Sequence, residues 1–310
     1  TITITNGTCP GTITTNVVLG SGIIADSSLG STPCITVGAD GLTIDLSTYT
    51  LDLSGAGSAA VAIENSTHNN TTITGSGGTI ITDYPSPSTT SAIDIQGGTG
   101  ISINNVTLQN DPVSGAACAQ FNRTTTNGGT GISINSVTGA SLSGNSVYCY
   151  QYGIFVLNST IPSKGTGSIS GNYLEADSYD MLNGTSGVYS GGLVLNNSSG
   201  WTVSGNTIEF DGGYDKNSTC LYDATTGVMS CAFGLQVINS SSANNVSNNT
   251  VNSNFGGGIY ADSTTSNNKF VGDTALNNAI FDIFDAGSRN GWHKDTCLTS
   301  GGNLGSHTCH

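Results

Sequence analysis

The chain has 310 residues, of which 44 are Gly, 41 Ser, 42 Thr and 32 Asn, and its 20 acidic against 6 basic side chains give a net charge of −14. The scarcity of Glu, Lys, Arg, Gln and Met excludes long helices and coiled coils, and the scarcity of cations excludes a basic nucleic-acid binder. No run of about 18 apolar residues exists to span a bilayer as a helix, while an evenly spread 35% apolar content separates the chain from disordered sequences.

The first element is Thr1-Ile2-Thr3-Ile4-Thr5, an alternating segment that reads as a β-strand. Such a strand pairs with its own first coil or adds to a neighbouring subunit. The second arrangement is heterologous and open-ended, and a head-to-tail homopolymer follows from it. No signal peptide is visible ahead of this segment, so a mature, processed chain is expected.

Cys9 and Cys34 come next, the first of eight cysteines in a Ser/Thr-rich, Lys-poor chain. That usage points to an oxidising compartment, hence a secreted, extracellular or cell-surface protein. Eight cysteines allow 105 pairings. An elongated architecture keeps sequence neighbours together, so the expected bridges are Cys9–Cys34, Cys118–Cys149, Cys220–Cys231 and Cys297–Cys309. No Cys-x-x-Cys occurs and His is scarce, so no zinc site is expected.

From about residue 100 the chain repeats itself. Leu142-Ser-Gly-Asn145-Ser-Val147 recurs as Ile169-Ser-Gly-Asn172-Tyr-Leu174, Val203-Ser-Gly-Asn206-Thr-Ile208 and Val246-Ser-Asn-Asn249-Thr-Val251. Weaker copies are Phe270-Val-Gly-Asp273-Thr-Ala275 and Ile101-Ser-Ile-Asn104-Asn-Val106. A second element, Gly followed by alternating apolar residues, appears at Gly131, Gly153, Gly192, Gly234 and Gly258. The shortest period is about 24 residues, which suits one turn of a three-sided β-solenoid with Gly and Asn at corners that need left-handed backbone. Asn104, Asn145, Asn172, Asn206, Asn249 and Asp273 are expected to stack as a ladder at one corner. Nine or ten coils at about 4.8 Å give a rod of roughly 45 Å. Extra residues at 109–129, 175–190 and 211–232 each fall between the Asn-corner strand and the next Gly-led strand. They therefore leave from one corner as insertions, or as a binding surface.

These repeats resemble the secreted right-handed parallel β-helix proteins, a superfamily that includes NosD-like and pectate-lyase-like solenoids. Cys9-Pro-Gly-Thr-Ile-Thr14 leading to Pro33-Cys34-Ile-Thr-Val-Gly-Ala-Asp-Gly-Leu-Thr-Ile-Asp-Leu46 is similar to their amino-terminal cap and first coil. Asn290-Gly-Trp292 with Cys297 and Cys309 resembles their carboxy-terminal cap. The resemblance implies an all-β, single right-handed three-sided parallel β-helix. Its parts would be a strand and cap over 1–40, coils over 41–288 and a cap over 289–310.

The fold also hosts polysaccharide enzymes, and their signatures are missing. Polyuronide enzymes need clustered cations to hold an anionic polymer, but Arg123, Lys164, Lys216, Lys269, Arg289 and Lys294 are scattered. The polygalacturonase Asn-Thr-Asp and Gly-His-Gly and the epimerase Asp-Pro-His-Glu are absent. Carboxylates for a neutral-glycan hydrolase are available at Glu175, Asp177 and Asp180 and at Glu209, Asp211 and Asp215. Otherwise these are solvated loop acids. His68, His307 and His310 have no nucleophile partner. An acidic solenoid tolerates calcium, but the Gly-Gly-x-Gly-x-Asp nonapeptide is missing. No catalytic residue, metal site or cofactor is therefore assigned.

Fourteen Asn-x-Ser/Thr sequons occur. The glycosylation candidates are Asn6, Asn65, Asn70, Asn105, Asn122, Asn158, Asn183, Asn197, Asn217, Asn239 and Asn245. Asn65, Asn158, Asn197 and Asn239 share one repeat position, where Asn-Ser either carries sugar or simply makes the turn. The leading expectation is a non-enzymatic extracellular structural protein, a glycosylated subunit of a filament or surface assembly with Thr1–Thr5 as the contact. The alternative is a polysaccharide-binding or polysaccharide-degrading β-helix whose partner is a glycan.

Overall fold

A computed structural model describes residues 1–25, 27–57, 59–84, 88–110, 128–163, 165–175, 191–209, 233–254, 256–305 and 309, together with the strand pairing of 222–223 and 228–229. Three parallel sheets run along it. Sheet A has 11 strands, from Ile2–Ile4 to Gly291–His293. Sheet C has 10, from Ile23–Ile24 to Thr296–Cys297, and sheet B has 11, from Gly11–Ile13 to Ser300–Gly302. After the first strands the chain visits A, C and B in turn, so neighbouring strands of one sheet lie one coil apart. The fold is the expected all-β, three-sided parallel β-helix. Ten steps of about 4.8 Å along sheet A make a rod of about 48 Å.

The period-2 alternation of each strand sends one set of side chains to the axis. In sheet A that column is Val17, Ile44, Ile73, Ile103, Leu142, Ile169, Val203, Val246, Phe270 and Trp292, all buried. Each contributes about 1.5–3 kcal/mol by leaving water. The last two stack ring on ring, 3.8 Å apart and 4° from parallel. Outward positions of sheet A are instead short and polar, as in Ser141, Ser143, Ser168 and Ser170.

The corner between sheets A and C carries the ladder. Asn145 donates its backbone N–H and its Nδ2 to Asn172 Oδ1, both at 3.0 Å. Asn172 does the same to Asn206, Asn206 to Asn249, and Asn249 to Asp273, at 2.8–3.0 Å throughout. The second hydrogen of each Nδ2 goes back to a strand carbonyl: Ile103, Leu142, Ile169 and Val203 in turn. Every amide hydrogen of these buried side chains is thereby used, as are both acceptor positions of Asn172, Asn206 and Asn249. The residue before each rung has positive φ, at Gly144, Gly171, Gly205, Asn248 and Gly272, which is why Gly or Asn stands there.

Asn104 does not belong to this ladder. It pairs with Ser143, and Asn105 (φ 55°) takes the place of Gly144. The rung position falls to Val106, whose N–H donates to Asn145 Oδ1. The true copy in this coil begins at Ile103, two residues later than the sequence alignment set it. A two-residue slip leaves strand alternation unchanged, so only the corner could have fixed the register.

Shorter amide stacks close the other two corners. Asn244, Asn268 and Asn290 are linked in the same double-donor manner between sheets B and A. Asn254 and Asn278 repeat it between sheets C and B. Beside the first of these, Ser159, Ser198 and Ser241 pass a hydroxyl ladder from coil to coil.

The amino-terminal segment pairs within its own chain. Ile2–Ile4 pairs in register with Val17–Leu19 of the same chain, the self-pairing outcome. Disulfides Cys9–Cys34 and Cys297–Cys309 are formed. Cys149 is disulfide-bonded, while Cys118, Cys220 and Cys231 lie outside the described residues. Asn172→Ala strips the acceptor from two Asn145 donors and the Nδ2 donor from Asn206 Oδ1 and from the Leu142 carbonyl, while the backbone N–H to Asn206 remains. It is expected to cost about 1–3 kcal/mol, read as a lower melting temperature, whereas the outward Ser170→Ala stays within about 0.5 kcal/mol. Equal melting temperatures would sink the ladder's energetic role.

Candidate functional site

Sheet C leads into the insertions. Its strands Thr107–Asn110, Tyr173–Glu175 and Thr207–Glu209 end just before residues 111–127, 176–190 and 210–221. The strands that follow are Thr130–Asn135, Gly191–Asn196 and Phe233–Ile238, all in sheet B. The flanks of all three insertions thus lie at one corner, as the repeat spacing implied. Within the third, Tyr222–Asp223 pairs antiparallel with Val228–Met229.

The outward side chains that end these sheet C strands form one column. Gln109 registers with Tyr148, Tyr148 with Glu175, Glu175 with Glu209, and Glu209 with Asn252. Glu175 and Glu209 therefore sit on adjacent strands, whose spacing is about 4.8 Å. Tyr173, two residues before Glu175 on the same face, donates its hydroxyl to Glu175 Oε2 at 2.9 Å. Its ring lies 5.9 Å from that of Tyr148. Burial, the bond to Glu175 and the charges of Glu175 and Glu209 all raise the Tyr173 phenol above its ordinary range, in that order apart from minor neighbours. The hydroxyl stays a neutral donor.

Other sequence candidates are placed elsewhere. Tyr150 is buried, edge-on to Tyr84 at 6.2 Å. Tyr152 packs on Phe155 of sheet B at 4.8 Å. Asp177, Asp180, Asp211 and Asp215 lie outside the described residues, as do Lys164, Lys216, Arg123, His307, His310, Asn122, Asn183 and Asn217. His68 meets Asp40 in an exposed turn at 3.2 Å, and Asn69 and His68 together hold that carboxyl below its usual range. No group of three or more metal-ligating side chains occurs among the described residues.

The sequon column is shorter than the repeat suggested. Asn158, Asn197 and Asn239 do share a corner, each exposed and at φ 47–52°. Asn197 Nδ2 donates to Asn158 Oδ1 at 2.7 Å. Asn65 stands apart: it is fully buried, and its Nδ2 is committed to the His68 carbonyl and the Thr71 hydroxyl. It closes a turn, and its register partner is Ile95. Asn6, Asn70 and Asn105 are exposed, and Asn245 is half-buried on sheet A.

Two features escaped the sequence reading. Gln109 joins the sheet C column although no repeat marks it. A second stacked acid pair, Glu64 and Asp94, lies on the outer face of sheet B, where burial raises the Asp94 carboxyl. Both are engaged by their own strands, Ser66 to Glu64 and Gln96 to Asp94, each at 2.7 Å. Farther along that outer face Val194, Tyr260 and Phe284 are buried beside Phe233. The run Gly257–Ala261, without a polar residue, was the available signal for a strand covered on both faces.

No protein-family model matches the chain, and no curated protein matches its sequence. Solved structures similar to it include the enzymatically active domain of bacteriophage CBA120 tailspike protein 2, at 15% identity and a TM-score of 0.45 over 84% of this chain and 38% of that one. A double mutant of the periplasmic alginate epimerase AlgG is 12% identical, with a TM-score of 0.42 over 87% of this chain and 63% of that chain. A mutant tailspike protein of E. coli bacteriophage HK620, in complex with pentasaccharide, is 11% identical with a TM-score of 0.33 over 95% and 68%. This chain spans less than two thirds of the first two.

Like charges directly opposite on neighbouring strands repel. Glu209→Gln removes that repulsion and leaves the Tyr173–Glu175 bond intact. It is expected to stabilise the fold by about 0.2–1 kcal/mol, more at low salt than at high. A variant that melts lower than the parent would show that Glu209 is held by favourable contacts instead.

Proposed function

We propose that the protein binds carbohydrate across the outward face of sheet C, with Gln109, Tyr148, Tyr173, Glu175 and Glu209 as the recognition surface. The observation that carries this reading is the stacked Glu175–Glu209 pair, oriented by a tyrosine hydroxyl, at the mouth of three insertions that share a corner. Carboxylates accept hydrogen bonds from sugar hydroxyls, and paired tyrosines offer apolar faces to pyranose rings. A net charge of −14 disfavours uronates and other polyanions, so the ligand class is a neutral glycan. The terminal disulfides support an extracellular or surface location, and N-linked glycans on exposed sequons such as Asn6 and Asn70 belong to the same reading.

A second reading, the structural subunit, is supported by one observation. Ile2 occupies the core column of sheet A and is 57% exposed, and among the described residues no strand pairs with the far edge of Ile2–Ile4. A further copy stacked there would cover it. Sedimentation of the intact chain separates the readings: a monomer at high concentration removes the second.

Screening against neutral oligosaccharides tests the first. A ligand found there is expected to lose at least about 10-fold in affinity in the Glu175→Gln and Glu209→Gln variants, since bonds to charged acceptors contribute about 1.5–3 kcal/mol each. Binding that is unchanged in both variants would move the site off sheet C.

A further inference from the structure

Each amide stack ends on an aspartate, and the three ends differ in chemistry. Between sheets C and B, Asp282 closes the stack: Oδ1 accepts from Asn278 N and Nδ2, and Oδ2 from the Leu298 and Thr299 amides at 2.9 and 3.0 Å. Between sheets B and A, Asp285 takes Gly287 N and Asn290 Nδ2 on Oδ1 and Trp292 Nε1 on Oδ2, at 2.8–2.9 Å. Both carboxylates receive N–H donors on both oxygens, as an ionised group requires.

Asp273 is built otherwise. Its Oδ1 accepts Asn249 N and Nδ2, both at 2.8 Å. Its Oδ2 is buried without a hydrogen-bond partner. That atom stands where four preceding asparagines place Nδ2, a double donor aimed at one strand carbonyl and at the next rung. Here the next rung is Asp295, whose Oδ1 accepts the Asp273 N–H at 2.8 Å. The carbonyl is that of Val246, three residues before Asn249, as Val203 lies three before Asn206. A bare carboxylate oxygen would thus face two acceptors inside a dry corner.

We infer that Asp273 is carried as the neutral acid with its proton on Oδ2, and that losing this proton in alkali loosens the last coils: an acid-set latch at the carboxy-terminal end of the ladder. The proton supplies the donor that the missing amide would have supplied. Burial is the main cause pushing the Asp273 carboxyl up to about 7, with the Asp295 charge adding to it; the Asn249 donors and, least of all, the nearby Val271 amide, which makes no hydrogen bond to Oδ2, pull the other way. The coil before contributes only Asn249 to this corner. The coil after contributes Asp295, flanked by the exposed His293 and Lys294, with the His293 amide on Asp295 Oδ2 at 2.9 Å.

The sign follows from linkage. The folded value lies above the 3.8 of an unperturbed carboxyl. The stabilisation from holding the proton is therefore complete below about pH 3.8 and is lost as pH climbs through about 7. Asp273→Asn restores an amide rung that does not titrate. Melting temperatures of parent and variant, taken from pH 4 to pH 9, are expected to agree closely at the acid end. They should then diverge progressively between about pH 4 and pH 7 and level off above that, with the variant about 2 °C or more higher at pH 8. A difference independent of pH, or a variant whose deficit is greatest at pH 8, overturns the latch. Should the variant fail to fold, amide exchange on the unmodified protein decides. Protection of residues 269–297 relative to 140–175, corrected for intrinsic rates, should fall between pH 5.5 and pH 8, and an unchanged ratio overturns the proposal.

Discussion

A chain that turns three times per coil points polar groups inward at its corners, and at the A–C corner the ladder side chains that meet them are buried. The structure depends on how those groups are satisfied. One asparagine per coil does it at the A–C corner: its Oδ1 takes two hydrogens from the coil before, and its Nδ2 returns one to a strand carbonyl of that coil and hands the other to the next rung. The cost of an unmade buried hydrogen bond exceeds the gain of a made one. Each rung therefore commits its neighbours to one register, and the sheets inherit that register along the rod. Strand pairing alone would tolerate a slip by two; the ladder does not.

This explains what the amino-acid sequence showed and what it concealed. Ser-Gly-Asn at 143–145, 170–172 and 204–206 was legible because a corner needs a left-handed residue followed by an amide, and few residue types meet either demand. The coil at Ile101–Asn110 misled because its corner uses Asn105 where others use Gly and has no amide rung at all, so two adjacent asparagines offered a false alignment. Asn65 misled in the same way: an Asn-Ser pair after a Gly-led strand looks like a surface corner, but this side chain points inward and ties its own turn. The partners that make Asp282 and Asp285 stack ends come from residues up to 17 positions away, beyond the reach of local sequence. The candidate site was half legible. Glu175 and Glu209 stood out as carboxylates beside insertions, but their register and the tyrosine that orients one of them appear only when 34 residues of intervening chain close one coil.

The sheet C surface owes its character to that separation of duties. Axis and corners carry the stability, so outward positions are released to other chemistry. On sheet A many of them hold small hydroxyl residues, as at Ser141, Ser143, Ser168 and Ser170. On sheet C, where the chain leaves for its insertions, the same positions hold Tyr148, Glu175 and Glu209. Two acids on adjacent strands work against the sheet that holds them, and a Tyr hydroxyl bonded to one of them fixes its direction. Local conflict of this kind inside an otherwise consistent repeat is where function is expected.

The ladder also has a direction. From Val106 to Asp295 every link runs the same way, with the donor on the earlier coil and the acceptor on the later one. Amide dipoles so arranged polarise one another, and each bond strengthens the next. The rod is consequently an electrically oriented object. The ladder's hydrogen-donating side faces Val106 and its oxygen-bearing side faces Asp295, with one Nδ2 hydrogen of each asparagine rung returned to the coil before. Reversing such a rod end for end would set like poles together, so any ordered array of these molecules inherits an arrow from six buried side chains.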